Sequence, residues 1–180
     1  AKQSEAKGLT VSVVSGDRDL LQLATDRIKI RIPKTKRTGT EIEDYNTKEV
    51  VEKYQVTPIE FIDVKALMGD TSDNIPGVPG IGEKTATAII AQYGSIENAY
   101  AHVDEIRPPR ASRNLKENYE LAQMSKTLAT IEIHAEIPYE LEQAKIAGIS
   151  SLYTEEAYLL CKRLEFKNLL GRFEVDAKKR

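Results

Sequence analysis

Four aspartates and a cluster of glycines are the residues here whose types and spacing can do chemistry. Asp17 and Asp19 follow the break Ser15-Gly16, and Asp70 and Asp73 follow Gly69. Carboxylate oxygens suit Mg²⁺, a hard cation that keeps several waters and is often held by only one or two protein carboxylates. If the fold unites the two pairs, four carboxylates crowd one pocket and repel, which raises some of their pKa values. Two Mg²⁺ (or Mn²⁺) ions ~4 Å apart in such a pocket bind a scissile phosphate and lower the pKa of an attacking water. The competing roles are structural. Asp17 or Asp19 can cap the following helix, and Asp73 can form an Asx-turn before Asn74-Ile75-Pro76.

The second acidic pair runs into Gly77-Val78-Pro79-Gly80-Ile81-Gly82-Glu83-Lys84-Thr85-Ala86. Gly77, Gly80 and Gly82 permit positive φ and put no side chain between backbone and ligand. A helix is expected from Glu83 to Tyr93, so its free N–H groups and positive dipole end face out of the hairpin. Lys84 and Thr85 add a charge and a hydroxyl. Such contacts grip a phosphodiester backbone without reading bases, and the binding weakens steeply with salt. Gly77 and Gly82 are spaced as in a Walker A loop, but Glu83 stands where that motif needs its lysine, and no buried strand precedes it. Nucleotide binding is therefore rejected. The structural alternative is a glycine turn that lets two helices cross closely. A metal site beside a phosphate grip indicates phosphodiester chemistry on nucleic acid.

Several elements must position these groups. Val11–Val14 is β-rich, and strand, turn, then the apolar face Leu20, Leu21, Leu23 and Ala24 put Asp17 and Asp19 at the carboxyl end of a strand, where open α/β sheets bind ligands. Ile28, Ile30 and Ile32 alternate with Lys29 and Arg31, a period-two strand. Residues 33–39 are expected as a basic loop carrying Lys34, Lys36 and Arg37, solvated rather than DNA-bound, with a returning strand over 40–45. Asn46 with Glu49 and Thr57 with Glu60 fit capping boxes, and Pro58 takes a first helical position. Phe61, Ile62, Lys65, Ala66 and Met68 recur at helical spacing. Helices are further expected from Ser95, over 112–126 and over 152–166, with a strand over 128–133 and a polar tail at 178–180.

With 180 residues, 41% of them hydrophobic, the chain can bury a real core. A net charge of −2 and a pI near 5.9 argue against a generic DNA-coating protein, although an acidic cluster masks a basic face in the total. The single cysteine, Cys161, is assigned to packing, and His102 and His134 have no evident partner. No apolar run approaches membrane-spanning length, and none of these residues reads as a signal peptide. Residues 1–8 read as the end of a helix closed by Gly8 that runs straight into a strand, so an upstream portion is expected.

Taken in order, Ser15-Gly16-Asp17-Arg18-Asp19-Leu20-Leu21-Gln22-Leu23, then Ala66-Leu67-Met68-Gly69-Asp70-Thr71-Ser72-Asp73-Asn74-Ile75-Pro76-Gly77, the hairpin, and Leu164-Glu165-Phe166-Lys167-Asn168-Leu169-Leu170 resemble the carboxy-terminal portion of the 5′-nuclease (5′-3′ exonuclease) domain of bacterial DNA polymerase I, in the flap-endonuclease superfamily. The resemblance implies an α/β fold: an incomplete PIN-like (Rossmann-like), mainly parallel sheet followed by a helix-three-turn-helix DNA-binding subdomain. The expected division is 1–45 for the remainder of the nuclease core, 46–126 for the helical subdomain with its hairpin at 74–86, and 127–180 for a return strand and closing helices. It also implies Asp17, Asp19, Asp70 and Asp73 as metal ligands, a K⁺ ion at the hairpin carbonyls, and cleavage of 5′ flaps and nicked duplex DNA in primer removal and repair, in the bacterial cytoplasm. The family's first-strand aspartate, a further acidic cluster and a threading arch lie outside these residues, so the chain alone is expected to bind duplex DNA weakly and cleave poorly. A missing upstream half, and a fused polymerase domain, are the implied partners. The competing functions are a non-catalytic, sequence-independent duplex-binding module and a PIN-like ribonuclease.

Overall fold

The computed structural model describes residues 1–37, 39–138, 140–146 and 153–177. They form two compact units, Ala1–Ala135 and Glu136–Arg180. In the first, a short helix α1 (Lys2–Ala6) leads through Gly8, at φ +81, into strand β1 (Val11–Val14). A 3-10 helix over Arg18–Leu23 then carries the chain to β2 (Ile28–Lys36), which lies parallel to β1 with Val11 opposite Ile28. A parallel pair needs a crossover of this kind, since no tight turn can join it. Strand β3 (Gly39–Tyr45) returns antiparallel, with Ile30 opposite Tyr45 and Lys36 opposite Gly39.

The α/β class holds, and the sheet is mixed: one parallel pairing and one antiparallel. The expected basic loop over 33–39 is mostly strand. Lys34 pairs across it with Glu43 at 2.5 Å, and Lys36 pairs with Glu41. Opposite charges facing each other across an antiparallel ladder stabilise strand over loop.

The helical region starts where the caps place it. Asn46 and Glu49 close a capping box on α2 (Thr47–Tyr54). Thr57 accepts from the Glu60 N–H at 3.3 Å while Glu60 accepts from the Thr57 N–H at 2.7 Å, ahead of α3 (Glu60–Met68). Helix α3 is buried nearly all round, through Phe61, Val64, Ala66 and Leu67, and packs against the 3-10 helix, α4 (Glu83–Tyr93) and α7 (Tyr119–Ala129). One apolar cluster runs from Leu21 and Ile30 through these helices to Ala122, so the sheet and the helices through α7 share a core. Gly94, left-handed at φ +77, closes α4, and the Ser95 hydroxyl caps α5 (Ile96–Ala101).

Further along the first unit, two more expectations fail. The single helix over 112–126 is two, α6 (Pro109–Glu117) and α7, broken at Asn118. The Asn118 amide donates back to the Asn114 carbonyl at 2.8 Å, a local bond that competes with helix continuation. Residues 128–133 are no strand: α7 runs to Ala129 and the chain then turns irregular. The buried Gln22 amide takes both backbone groups there, donating to the Ala129 carbonyl at 3.0 Å and accepting from the Ile131 N–H at 2.9 Å.

The second unit holds α8 (Glu155–Arg163), capped by Thr154, and α9 (Lys167–Ala177). The expected helix over 152–166 is thus shorter, ending in a turn at Glu165 with φ +56; Leu152 and the tail 178–180 lie outside the described residues. Tyr153 and Tyr158 meet Phe173 edge-on, with centroids 5.0 and 5.7 Å away. Cys161 is half-buried on α8.

Candidate metal centre and phosphate grip

The two acidic pairs meet. A cavity of about 330 Å³ is lined by Gly16, Asp17, Asp19, Tyr54, Lys65, Asp70, Asp73 and Glu83, among others. Ligand oxygens of Asp19, Asp70 and Asp73 lie within 4.8 Å of one another. Asp19 gets there because β1 stops at Val14 and the 3-10 helix that follows, with Asp19 in its first turn, packs against α3. Asp70 and Asp73 get there because α3 ends at Gly69 and the loop closes on itself: Asp70 and Ile75 exchange both backbone hydrogen bonds, at 2.8 and 2.9 Å.

The four aspartates differ. Asp17 is exposed and caps the 3-10 helix, accepting from the Asp19 N–H at 2.9 Å, so its expected capping role is real although it also lines the cavity. Asp19 is largely covered, and burial pushes its carboxyl above the ordinary range, with Lys65 opposing and the charges of Asp17 and Asp73 adding to the rise. Asp70 moves the other way. Bonds from Lys65, the Ser72 hydroxyl and the Ser72 N–H hold its carboxyl well below the usual range. Asp73 is exposed beside them.

Sequence reading places Lys65 on helix α3, as the structure does, but gives it no role at the site. It is 6% exposed, with its ammonium 2.7 Å from Asp19 Oδ1 and bonded to Asp70 Oδ2. Burial works against its charge, but these two carboxylates outweigh that and hold its pKa above the ordinary lysine value. The signal was available: a charged residue within an otherwise apolar helix must find a partner. The contact to Asp19 is an ion pair without hydrogen-bond alignment, which leaves Asp19 Oδ1 a buried acceptor with no bonded donor. That orphaned oxygen, and an all-oxygen donor set of three carboxylates, fit a hard divalent cation. Glu83 at the start of α4 is a fifth carboxylate at the cavity, also missed.

The same cavity therefore abuts the hairpin. Val78 and Ile81 are buried and pin it, with the Val78 N–H donating to the Leu67 carbonyl at 2.8 Å. Gly77 is corrected from a phosphate contact to a packing residue. It is buried at φ +65, its N–H donates to Ser125 Oγ at 3.1 Å, and an added Cβ would come 2.4 Å from the Gly69 nitrogen. Gly80 is exposed at φ +77 beside Asn114, whose amide donates to the Pro79 carbonyl at 2.7 Å, and beside the Arg110 guanidinium. Gly82 is exposed with open space around it, followed by exposed Lys84 and half-buried Thr85. The first N–H groups of α4 have no intrahelical acceptor, as at any helix start, and they lie where Gly82 leaves the approach clear. Ser125, Asn114 and Arg110 carried no sequence signal, because the partners that give them meaning are far away in the chain.

This geometry defines an α/β chain with a carboxylate pocket beside a glycine hairpin at a helix start. Residues 56–151 match the family described as 5′-3′ exonuclease, C-terminal SAM fold. The chain is 42% identical over 174 residues to DNA polymerase I of Bacillus caldotenax, covering 97% of this chain and 19% of that protein. It is 42% identical over 177 residues to DNA polymerase I of Bacillus subtilis, covering 98% and 20%. A structure of the bacteriophage T5 5′-exonuclease with bound divalent metal ions (zinc) matches with a TM-score of 0.60 at 28% identity, covering 71% of this chain and 45% of that one. A bacteriophage T5 flap endonuclease complex with DNA and metal ions matches with a TM-score of 0.60 at 27% identity, over the same shares. The chain belongs to the 5′-3′ exonuclease family. It spans about a fifth of the length of the curated polymerases it matches.

Proposed function

We propose that this chain is part of a structure-specific, metal-dependent 5′-3′ exonuclease/flap endonuclease of the DNA polymerase I type, acting on duplex DNA with a 5′ flap or nick. The observation that carries the reading is the convergence of Asp19, Asp70 and Asp73 in a cavity that also reaches Glu83 at the start of α4. Those three aspartates, with Asp17 at the rim, are the residues to hold Mg²⁺ or Mn²⁺. Bound there, a divalent ion supplies a water of lowered pKa and neutralises charge on the phosphate. The chain's own residues do the rest. Ser72 fixes the Asp70 carboxylate, and Gly80, Gly82, Lys84 and Thr85 hold the phosphodiester backbone next to the carboxylates. A K⁺ ion at the hairpin carbonyls belongs to the same reading, with the Pro79 carbonyl already accepting from Asn114. Cleavage is proposed for a polypeptide that also carries the upstream nuclease half, with a fused polymerase region, in the bacterial cytoplasm. Among the described residues no helix is long and apolar enough to cross a membrane.

Asp70→Asn in that longer polypeptide tests the reading. Mg²⁺-dependent cleavage of a flap substrate is expected to fall by more than ~10²-fold, while binding of the same DNA in EDTA is retained. Unchanged cleavage would remove the carboxylates from the mechanism and leave the hairpin as a non-catalytic duplex-binding module.

A further inference from the structure

Metal and hairpin account for most of the cavity wall, but not for Lys65. It projects from the middle of the most buried helix of the chain into the acidic pocket, and both of its ion-pair partners, Asp19 and Asp70, belong to the converging trio. A lysine ammonium is strongly hydrated, and covering it is costly unless charge around it compensates. Here the compensation is mutual, because three carboxylates at this spacing repel one another without a cation among them. The fit is nonetheless incomplete. Asp70 accepts a bond from Lys65, whereas Asp19 Oδ1 faces the ammonium without an aligned donor. Neutralised yet unsatisfied, that oxygen is free to change partners. A four-carbon stem with rotatable bonds lets the ammonium withdraw.

We propose that Lys65 is the resident counter-cation of the metal site: it holds Asp19 and Asp70 together when no divalent ion is bound, and leaves them when one is taken up. Lys65 is thus a positioning residue, and the idea rests on the metal-nuclease reading. Two consequences follow. The chain folds without metal, and metal binding is weaker than the carboxylates alone would give, because an internal ammonium competes for them.

The test titrates Mn²⁺ into the longer polypeptide that also carries the upstream nuclease half, reading free Mn²⁺ by electron paramagnetic resonance, for wild type and Lys65→Met, with melting followed in EDTA. Lys65→Met is expected to bind Mn²⁺ about tenfold tighter, a difference of ~1.4 kcal/mol. It should melt lower in EDTA, and Mn²⁺ should restore more of its melting temperature than in wild type. Unchanged or weaker Mn²⁺ binding by a folded Lys65→Met overturns the proposal. If Lys65→Met folds under no condition, the wild type decides through the ¹⁵N signal of the Lys65 ammonium, assigned with Lys65→Arg. A signal protected in EDTA that shifts and loses protection on adding Mg²⁺ supports the exchange; one that ignores Mg²⁺ rejects it. Absence of Mn²⁺ uptake by wild type sinks the nuclease reading and this proposal with it, whereas uptake that Lys65→Met fails to strengthen sinks the proposal alone.

Discussion

Lys65 and Lys126 each lie between two carboxylates, yet their surroundings differ in what they leave unfinished. Lys126, on α7, reaches Asp63 Oδ1 at 2.7 Å and both oxygens of Glu97 at 2.9 and 3.0 Å. Asp63 Oδ1 also accepts the Ile96 N–H at 3.0 Å, so this cluster caps α5 and ties α3, α5 and α7 together. Burial raises the Asp63 carboxyl, as it raises that of Asp19, with the neighbouring lysine opposing in both cases. Both aspartates are covered; what separates the two clusters is surplus acceptors and the negative charge they bring. Around Lys126 neither Asp63 nor Glu97 has a buried oxygen left without a hydrogen-bond partner. Around Lys65 an oxygen of Asp19 is orphaned, and Asp17, Asp73 and Glu83 add carboxylates that one ammonium cannot balance. Structural ion-pair networks also perturb pKa values, so the perturbation alone does not mark a binding site; here the surplus acceptors distinguish the two.

The comparison breaks most visibly at Lys126. Lys126→Met strands Asp63, which is 4% exposed, and removing one partner of a covered pair is strongly destabilising. A loss of ~3 kcal/mol is expected from denaturant midpoints, with Mn²⁺ affinity unchanged. If Lys126→Met altered Mn²⁺ binding as much as Lys65→Met, the two clusters would not be distinct. Ser125→Ala probes the same helix one residue earlier. It leaves the buried Gly77 N–H without an acceptor, for an expected loss of ~1–2 kcal/mol. The loosened element is the hairpin, so duplex-DNA binding should weaken along with stability.

How much of this was legible in the chain follows from the range of the interactions. Elements set by local signals appear where expected: the Asn46–Glu49 box opens α2, and α4 runs from Glu83 to Tyr93 before Gly94. The convergence of the acidic pairs was proposed from their flanking motifs and is seen in the cavity. Elements decided by distant partners were misread. The apolar run after Leu128 has the composition of a strand, but Gln22, over a hundred positions away, takes its backbone groups. Gly77 read as a ligand contact because glycine spacing says nothing about whether the missing Cβ faces solvent or, as here, the backbone of Gly69. Lys65 was read by periodicity, when its charge was the more informative property.

On the hairpin, Lys84→Ala should weaken duplex DNA binding for every sequence alike and lower the salt slope by about one. Its side chain is exposed and makes no hydrogen bond or ion pair among the described residues. A sequence-selective effect would contradict a backbone grip. Gly82→Ala makes the companion case, since φ is −94 and a Cβ there meets open space. Gly82 is the N-cap of α4, where alanine is poorer than glycine, so a stability loss of at most ~1 kcal/mol is expected. A larger change in DNA binding by the folded variant reports on ligand approach.

The smallest effect belongs to a third lysine–carboxylate cluster, on the same face of the sheet as Ile30, Ile32 and Tyr45 but only partly covered, so that burial weighs less in the comparison. Glu43 meets Lys34 at 2.5 Å and Lys53 at 3.1 Å, with the Tyr45 hydroxyl alongside, and its side chain is 31% exposed. The Lys34 bond first, then those from Tyr45 and Lys53, hold its carboxyl at about 2 against an ordinary 4.5. A folded-state pKa below the unfolded one means that the unfolded chain takes up the proton first. The stabilisation is thus fully present above pH 4.5 and is lost as pH falls toward 2. Because water and salt screen an exposed pair, its size should stay below ~1 kcal/mol and shrink as salt is added. Glu43→Gln is expected to flatten that acid-side slope in urea midpoints measured across the window, and to change little at neutral pH. A loss at neutral pH as large as that of Lys126→Met would mean that coverage does not set the value of these clusters, and the contrast between Lys65 and Lys126 would then need another cause.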